Sequence, residues 1–98
     1  MQNLHNNLDY FFSNSPQARQ RDTELGLMQC IKEVTRYCLL EYTFKEIRVS
    51  GHFDSLRYRL QAAFPESYKG ERGDTLVRNM VRNTQKNERP YPYRNINM

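Results

Sequence analysis

Phe44-Lys45-Glu46-Ile47-Arg48-Val49-Ser50, closed by Gly51, is the stretch on which the fold class turns. Ile47 and Val49 fall on one side of an extended chain and Glu46, Arg48 and Ser50 on the other, the period of a strand. On either side the apolar residues recur every three or four positions instead. Upstream, Leu27, Ile31, Val34, Cys38 and Tyr42 mark one face of what reads as the longest helix, with Arg21, Lys32 and Arg36 on other faces. Downstream, Phe53, Leu56, Leu60, Ala63 and Phe64 mark another, stopped by Pro65 and with Ser50 or Asp54 placed to cap its start. The expected fold is mostly α, three or four helices in one small domain. Residues 42–50 stay open between helix and a short strand near 45–50.

The ends of the chain extend this pattern. Leu4, Leu8, Phe11 and Phe12 predict a short first helix, broken at Ser13-Asn14-Ser15-Pro16. Ser15 and Pro16 suit the N-cap and first position of the next helix. Gly26 costs a helix about 1 kcal/mol relative to Ala, which puts the firm start of that helix near it. Glu66 to Gly73 reads as a polar loop, and Asp74 as the N-cap of a last helix carrying Leu76, Val77, Met80 and Val81. Periodicity fades at Asn87. Residues 1–87 are expected to form the domain and 88–98 a flexible basic and aromatic tail, in which prolines interrupt Arg89-Pro90-Tyr91-Pro92-Tyr93-Arg94. No internal repeat stands out.

Composition narrows the function classes. Ninety-eight residues that are 38% hydrophobic hold one modest core, and a thin core favours self-association, here expected as a homodimer. The longest apolar run, Tyr37-Cys38-Leu39-Leu40, is far short of the roughly 20 residues of a spanning helix, so no membrane association is expected. Met1 to Phe12 lacks the basic and then apolar regions of a signal peptide, and a cytoplasmic location is expected. Cys30 and Cys38 lie about 12 Å apart along one helix, too far to pair, and read as core thiols. With His5 and His52 scattered, no zinc spacing appears, and neither metal nor cofactor is expected. His52 and Asp54 are neighbours without a nucleophile arranged to use them, and no glycine-rich phosphate loop occurs, so enzymatic activity is not expected.

The charge is uneven. Of the net +4, residues 1–74 contribute nothing, ten basic side chains against ten acidic. Residues 75–98 hold Arg78, Arg82, Lys86, Arg89 and Arg94 against Glu88 alone. On a helix Arg78, Arg82, Lys86 and Arg89 occupy an arc of about 80°, apart from the apolar arc of Leu76, Val77, Met80 and Val81. Successive members lie roughly 6 Å apart, a spacing that suits a phosphate backbone, with arginine able to grip each phosphate through two N–H groups.

In order, a strand at Lys45–Ser50, a helix at Phe53–Phe64, a glycine-bearing loop and a helix at Asp74–Lys86 resemble the elements of a ribbon-helix-helix domain. That resemblance implies strands of two subunits paired in a DNA major groove, with Glu46, Arg48 and Ser50 toward the bases and Ile47 and Val49 toward the core. The leading expectation is a nucleic-acid-binding regulatory protein, on DNA in preference to RNA. Arg78, Arg82, Lys86 and Arg89 would hold phosphates, and Arg48, Arg57 and Arg59 would supply further contacts. The alternative is a protein-interaction module, an adaptor, inhibitor or regulatory subunit, using an exposed aromatic surface that includes Tyr10, Phe11, Phe12 and Tyr37.

Overall fold

A computed structural model describes residues 4–88 of the chain. It is built from five α-helices: α1 (Leu4–Asn14), α2 (Glu24–Val34), α3 (Phe44–Val49), α4 (His52–Ala63) and α5 (Gly70–Glu88). A single 3₁₀ turn, Pro16–Ala18, follows α1, and α2 winds on as a π-helical segment, Thr35–Leu39. There is no strand among the described residues. No helix among them is long and apolar enough to cross a membrane.

Of the two readings open for residues 42–50, helix holds over Phe44–Val49, and the ribbon-helix-helix arrangement, which needs a strand there, goes. Thr43 and Glu46 form a reciprocal cap: the Thr43 hydroxyl accepts from the Glu46 N–H at 3.0 Å, and the Glu46 carboxylate accepts from the Thr43 N–H at 2.8 Å. In a strand Ile47 and Val49 would share a face. In the helix they point about 160° apart, which fits the buried Ile47 and the exposed Val49. Gly51, at φ 81°, then turns the chain from α3 directly into α4. Neither Ser50 nor Asp54 caps α4; its start has no side-chain cap, and Asp54 pairs with Arg57 one turn on.

Other boundaries shift for similar local reasons. Ser15 and Pro16 begin only the 3₁₀ turn. The cap of α2 is Thr23, whose hydroxyl accepts from the Gly26 N–H at 3.0 Å. A Cβ on Gly26 would lie 2.0 Å from the carbonyl oxygen of Arg21, so glycine permits this start instead of weakening it. At the far end, the Thr35 hydroxyl donates to the Ile31 carbonyl at 2.7 Å, sharing an acceptor with its own N–H where the wider π turn begins.

The longest helix is α5, and it starts before Asp74. Gly73 lets the buried Tyr68 ring approach the first turns of the helix closely; a Cβ there would meet that ring at 2.5 Å. Asp74 sits inside the helix and accepts from the Tyr68 hydroxyl. The expected loop at 66–73 therefore shortens. Its remainder is tied down by Asp22, whose carboxylate accepts from the N–H groups of Glu66 at 2.9 Å and Ser67 at 3.0 Å. Burial would raise the Asp22 carboxyl, but these donors and Lys69 outweigh it and hold it below the usual carboxylate range.

The core lies where α2 crosses α5 and α1 covers both the π segment and α4. Leu8 and Phe11 of α1, Ile31 and Val34 of α2, Leu56 and Leu60 of α4 and Val77 and Val81 of α5 are all buried. Buried Gln85 of α5 donates to the carbonyls of Leu39 at 3.0 Å and Tyr42 at 2.6 Å, tying α5 to the end of the π segment and the turn after it. Three residues on, Glu88 closes a two-toothed pair with Arg36, at 2.7 and 2.9 Å. The C-terminal half of α5 is thus locked to the π segment that continues α2 and to the turn after it. Glu88 belongs to this helix; the rest of the expected tail, 89–98, lies outside the described residues.

Candidate nucleic-acid interface on α5

Gly73, Val77, Val81, Thr84 and Gln85 turn one side of α5 inward. Arg78, Arg82 and Lys86 lie on the opposite side and are exposed. Among the described residues no carboxylate comes within ion-pair distance of any of the three. Glu88, the one acid in the basic quarter of the sequence, projects about 80° away from Arg78 on the side facing α2, where Arg36 holds it. The hydrogen bonds from Arg36 keep its carboxyl below the ordinary range.

Arg82 is braced. Its guanidinium carbon lies 4.7 Å from the centroid of the Phe44 ring on α3, in cation–π range. Phe44 in turn packs edge-on against Phe53 of α4, with centroids 5.3 Å apart. Stacking holds the plane of a guanidinium and leaves the N–H groups on its rim able to donate. Arg48 is exposed one turn beyond Phe44 on α3, on the same face of that helix.

Two sequence-predicted contacts are placed otherwise. Arg57 pairs with Asp54, lies 3.6 Å from the Asp74 carboxylate and sits 5.8 Å over the Phe53 ring. Arg59 pairs with Asp9 of α1 and donates to Ser55. Both join helices within the fold. The structure therefore brings Arg78, Arg82 and Lys86 together on one face, with Arg48 on the helix that braces Arg82. Arg89 lies outside the described residues.

One feature of this face went unread in the sequence. Each cation is followed by an asparagine: Arg78-Asn79, Arg82-Asn83, Lys86-Asn87, a basic–amide pair repeated at every fourth residue. Asn79, Asn83 and Asn87 are all exposed, and none of their amides is engaged by another described residue.

Other features offer less chemistry. An open groove of about 550 Å³ between α2 and the first turns of α5 is lined by Glu24, Lys69, Glu71 and Arg72, whose charges balance, and by no histidine or cysteine. Burial pushes the Cys30 thiol up to about 12 and that of Cys38 to about 11, so neither is an activated nucleophile near neutral pH. His5 and His52 approach across α1 and α4 with ring centroids 6.2 Å apart, and no group of three metal-ligating side chains occurs among the described residues. The expected aromatic surface divides. Tyr10 and Tyr37 are 68% and 60% exposed, whereas Phe11 is buried and Phe12 half-buried against the core. Comparison with protein families, with curated proteins and with solved structures finds no match to this chain.

Proposed function

We propose that this chain is a small nucleic-acid-binding protein with a regulatory role, and that α5 is the element that meets the phosphates. One observation carries the reading: Arg78, Arg82 and Lys86 stand in an exposed row with no carboxylate partner among the described residues, on a helix anchored from its other side by Gln85 and Glu88. A row of unpaired cations on a rigid rod keeps its charge where a polyanion needs it, and replacing condensed counterions on that polyanion supplies the free energy. Arg48, exposed on the helix that braces Arg82, is a further cation, while Arg57 and Arg59 serve the fold.

A mobility-shift titration on duplex DNA, single strands and RNA across a salt series tests this. The expected result is binding that weakens steeply with salt and flattens in Arg78→Ala/Arg82→Ala. Folded protein that binds no nucleic acid at low salt overturns it.

The protein-interaction reading keeps one observation in its favour, the exposed Tyr10 and Tyr37 rings, large aromatic surfaces of the kind that anchor interfaces. A pull-down complex lost in Tyr10→Ser/Tyr37→Ser, with Arg78→Ala/Arg82→Ala unaffected, would favour it. Dimerisation no longer has paired strands to rest on, and sedimentation at micromolar concentration measures it directly.

A further inference from the structure

The basic–amide repeat gives α5 two parallel lanes. At about 100° per residue, Arg78, Arg82 and Lys86 fill one arc of about 80°, and Asn79, Asn83 and Asn87 fill the adjoining arc of the same width. The cation lane lies on the side turned away from the buried residues, and the asparagine lane runs beside it, bordered by Leu76 and Met80, which pack against the core. Residues within each lane are spaced by four, so each lane runs nearly parallel to the axis for about 12 Å.

We infer that α5 is a major-groove helix for duplex DNA, its cation lane on one phosphate backbone and its asparagine lane on base edges. The inference rests on the nucleic-acid reading above and adds the class of nucleic acid and the means of reading it. Asparagine is the side chain whose carbonyl and amide match the N6 and N7 edge of adenine in two hydrogen bonds, and B-form DNA has a major groove about 12 Å wide that admits a helix. The A-form groove of duplex RNA is too deep and narrow for such an approach. Single strands are gripped by stacking bases on aromatic rings, and α5 carries no aromatic residue from Gly70 to Glu88. A face built only for solubility has no need of three neutral amides, each beside a cation and in register with it.

The test uses the full chain and a duplex library with a randomised core, followed by titration of the enriched duplex, its separated strands and the matching RNA duplex. The wild type is expected to enrich sites containing adenines and to bind that duplex more tightly than either of the other forms. In Asn79→Ala/Asn83→Ala/Asn87→Ala, preference for the enriched site over an unselected duplex should fall by about fivefold or more, while the slope of affinity against salt stays unchanged. Alanine at exposed helical positions favours the helix, so a thermal melt should show the fold intact. An unselective wild type, a variant that keeps the preference, or tighter binding to single strands or duplex RNA overturns the inference while the proposed function stands. Failure of the folded wild type to bind any nucleic acid at low salt removes both.

Discussion

Arg57 and Arg59 on α4 and Arg78 and Arg82 on α5 bear the same charge and meet opposite fates. On α4, Asp54 lies one turn back from Arg57, Asp74 faces it from α5, and Asp9 reaches Arg59 from α1. On α5 two of the three acids are turned elsewhere, Asp74 toward Tyr68 and Arg57 and Glu88 toward Arg36, and the third, Glu71, lies two turns before Arg78. Availability of an arginine is thus set less by local net charge than by where the carboxylates of neighbouring turns point. The α4 arginines join elements, and the α5 arginines have no carboxylate partner among the described residues.

The largest expected effect separates the two pairs by binding. Arg78→Ala/Arg82→Ala should weaken nucleic-acid binding by roughly a hundredfold at low salt and reduce the log–log salt slope by about 2, with little change in the melting temperature. Arg57→Ala and Arg59→Ala should do the reverse, lowering the melting temperature and leaving the salt slope nearly intact. Equal losses of affinity from both pairs would dissolve the distinction.

How far the sequence foretold this depends on the range of the interactions. The apolar faces of α1, α2 and α4 were legible from spacing, because burial selects one side of a helix. Residues 44–49 misled because two β-branched residues two apart mimic strand alternation over so short a stretch. The cap that decides the matter, Thr43 with Glu46, was present at the right spacing. Gly26 reads as a weakness and Gly73 as the end of a loop because each admits a specific group, the Arg21 carbonyl and the Tyr68 ring, and no propensity encodes that. The Asp54–Arg57 pair lies at helical spacing and was readable, whereas Asp9 meets Arg59 from 50 residues away, through tertiary packing alone. The basic–amide repeat was in plain view.

Gly73 gives the next effect. It lies under Tyr68 at the end of α5 that carries Asp74, the acid shared with Arg57. Gly73→Ala should cost about 1–3 kcal/mol of stability in denaturant unfolding, although alanine is the better helix former. Folded Gly73→Ala protein should bind nucleic acid nearly as wild type, because the cation lane begins more than a turn later. A stabilised Gly73→Ala would contradict the packing described.

Smaller again is the support behind Arg82. Thr43→Ala removes half of the α3 cap and should cost about 1 kcal/mol. Phe44→Leu keeps an apolar side chain but removes the ring beneath the guanidinium, so it should lower affinity severalfold while Arg78 and Lys86 still hold the salt slope near its original value. If Phe44→Leu and wild type bind alike, Arg82 owes nothing to its brace.

The smallest effect is the response to acid, and its sign follows from the same contrast. The hydrogen bond from Arg59 holds the Asp9 carboxyl below its ordinary range, and those from Arg36 do the same for Glu88. A carboxyl lowered on folding stabilises the native state at all pH values above the unfolded range, near about 4, and loses that contribution as pH falls through the folded value. Asp9 is exposed and Glu88 half-buried at the surface, so solvent screens each pair and the change should be modest. Stability measured from neutral pH downward should therefore decline below about pH 4, and Asp9→Asn/Glu88→Gln should flatten that decline. The α5 row, with no carboxylate partner among the described residues, adds nothing to the curve, so Arg78→Ala/Arg82→Ala should trace the wild-type profile. A profile altered by the α5 variant would mean that those arginines have acidic partners after all, and the difference between the two helices would fail at its root.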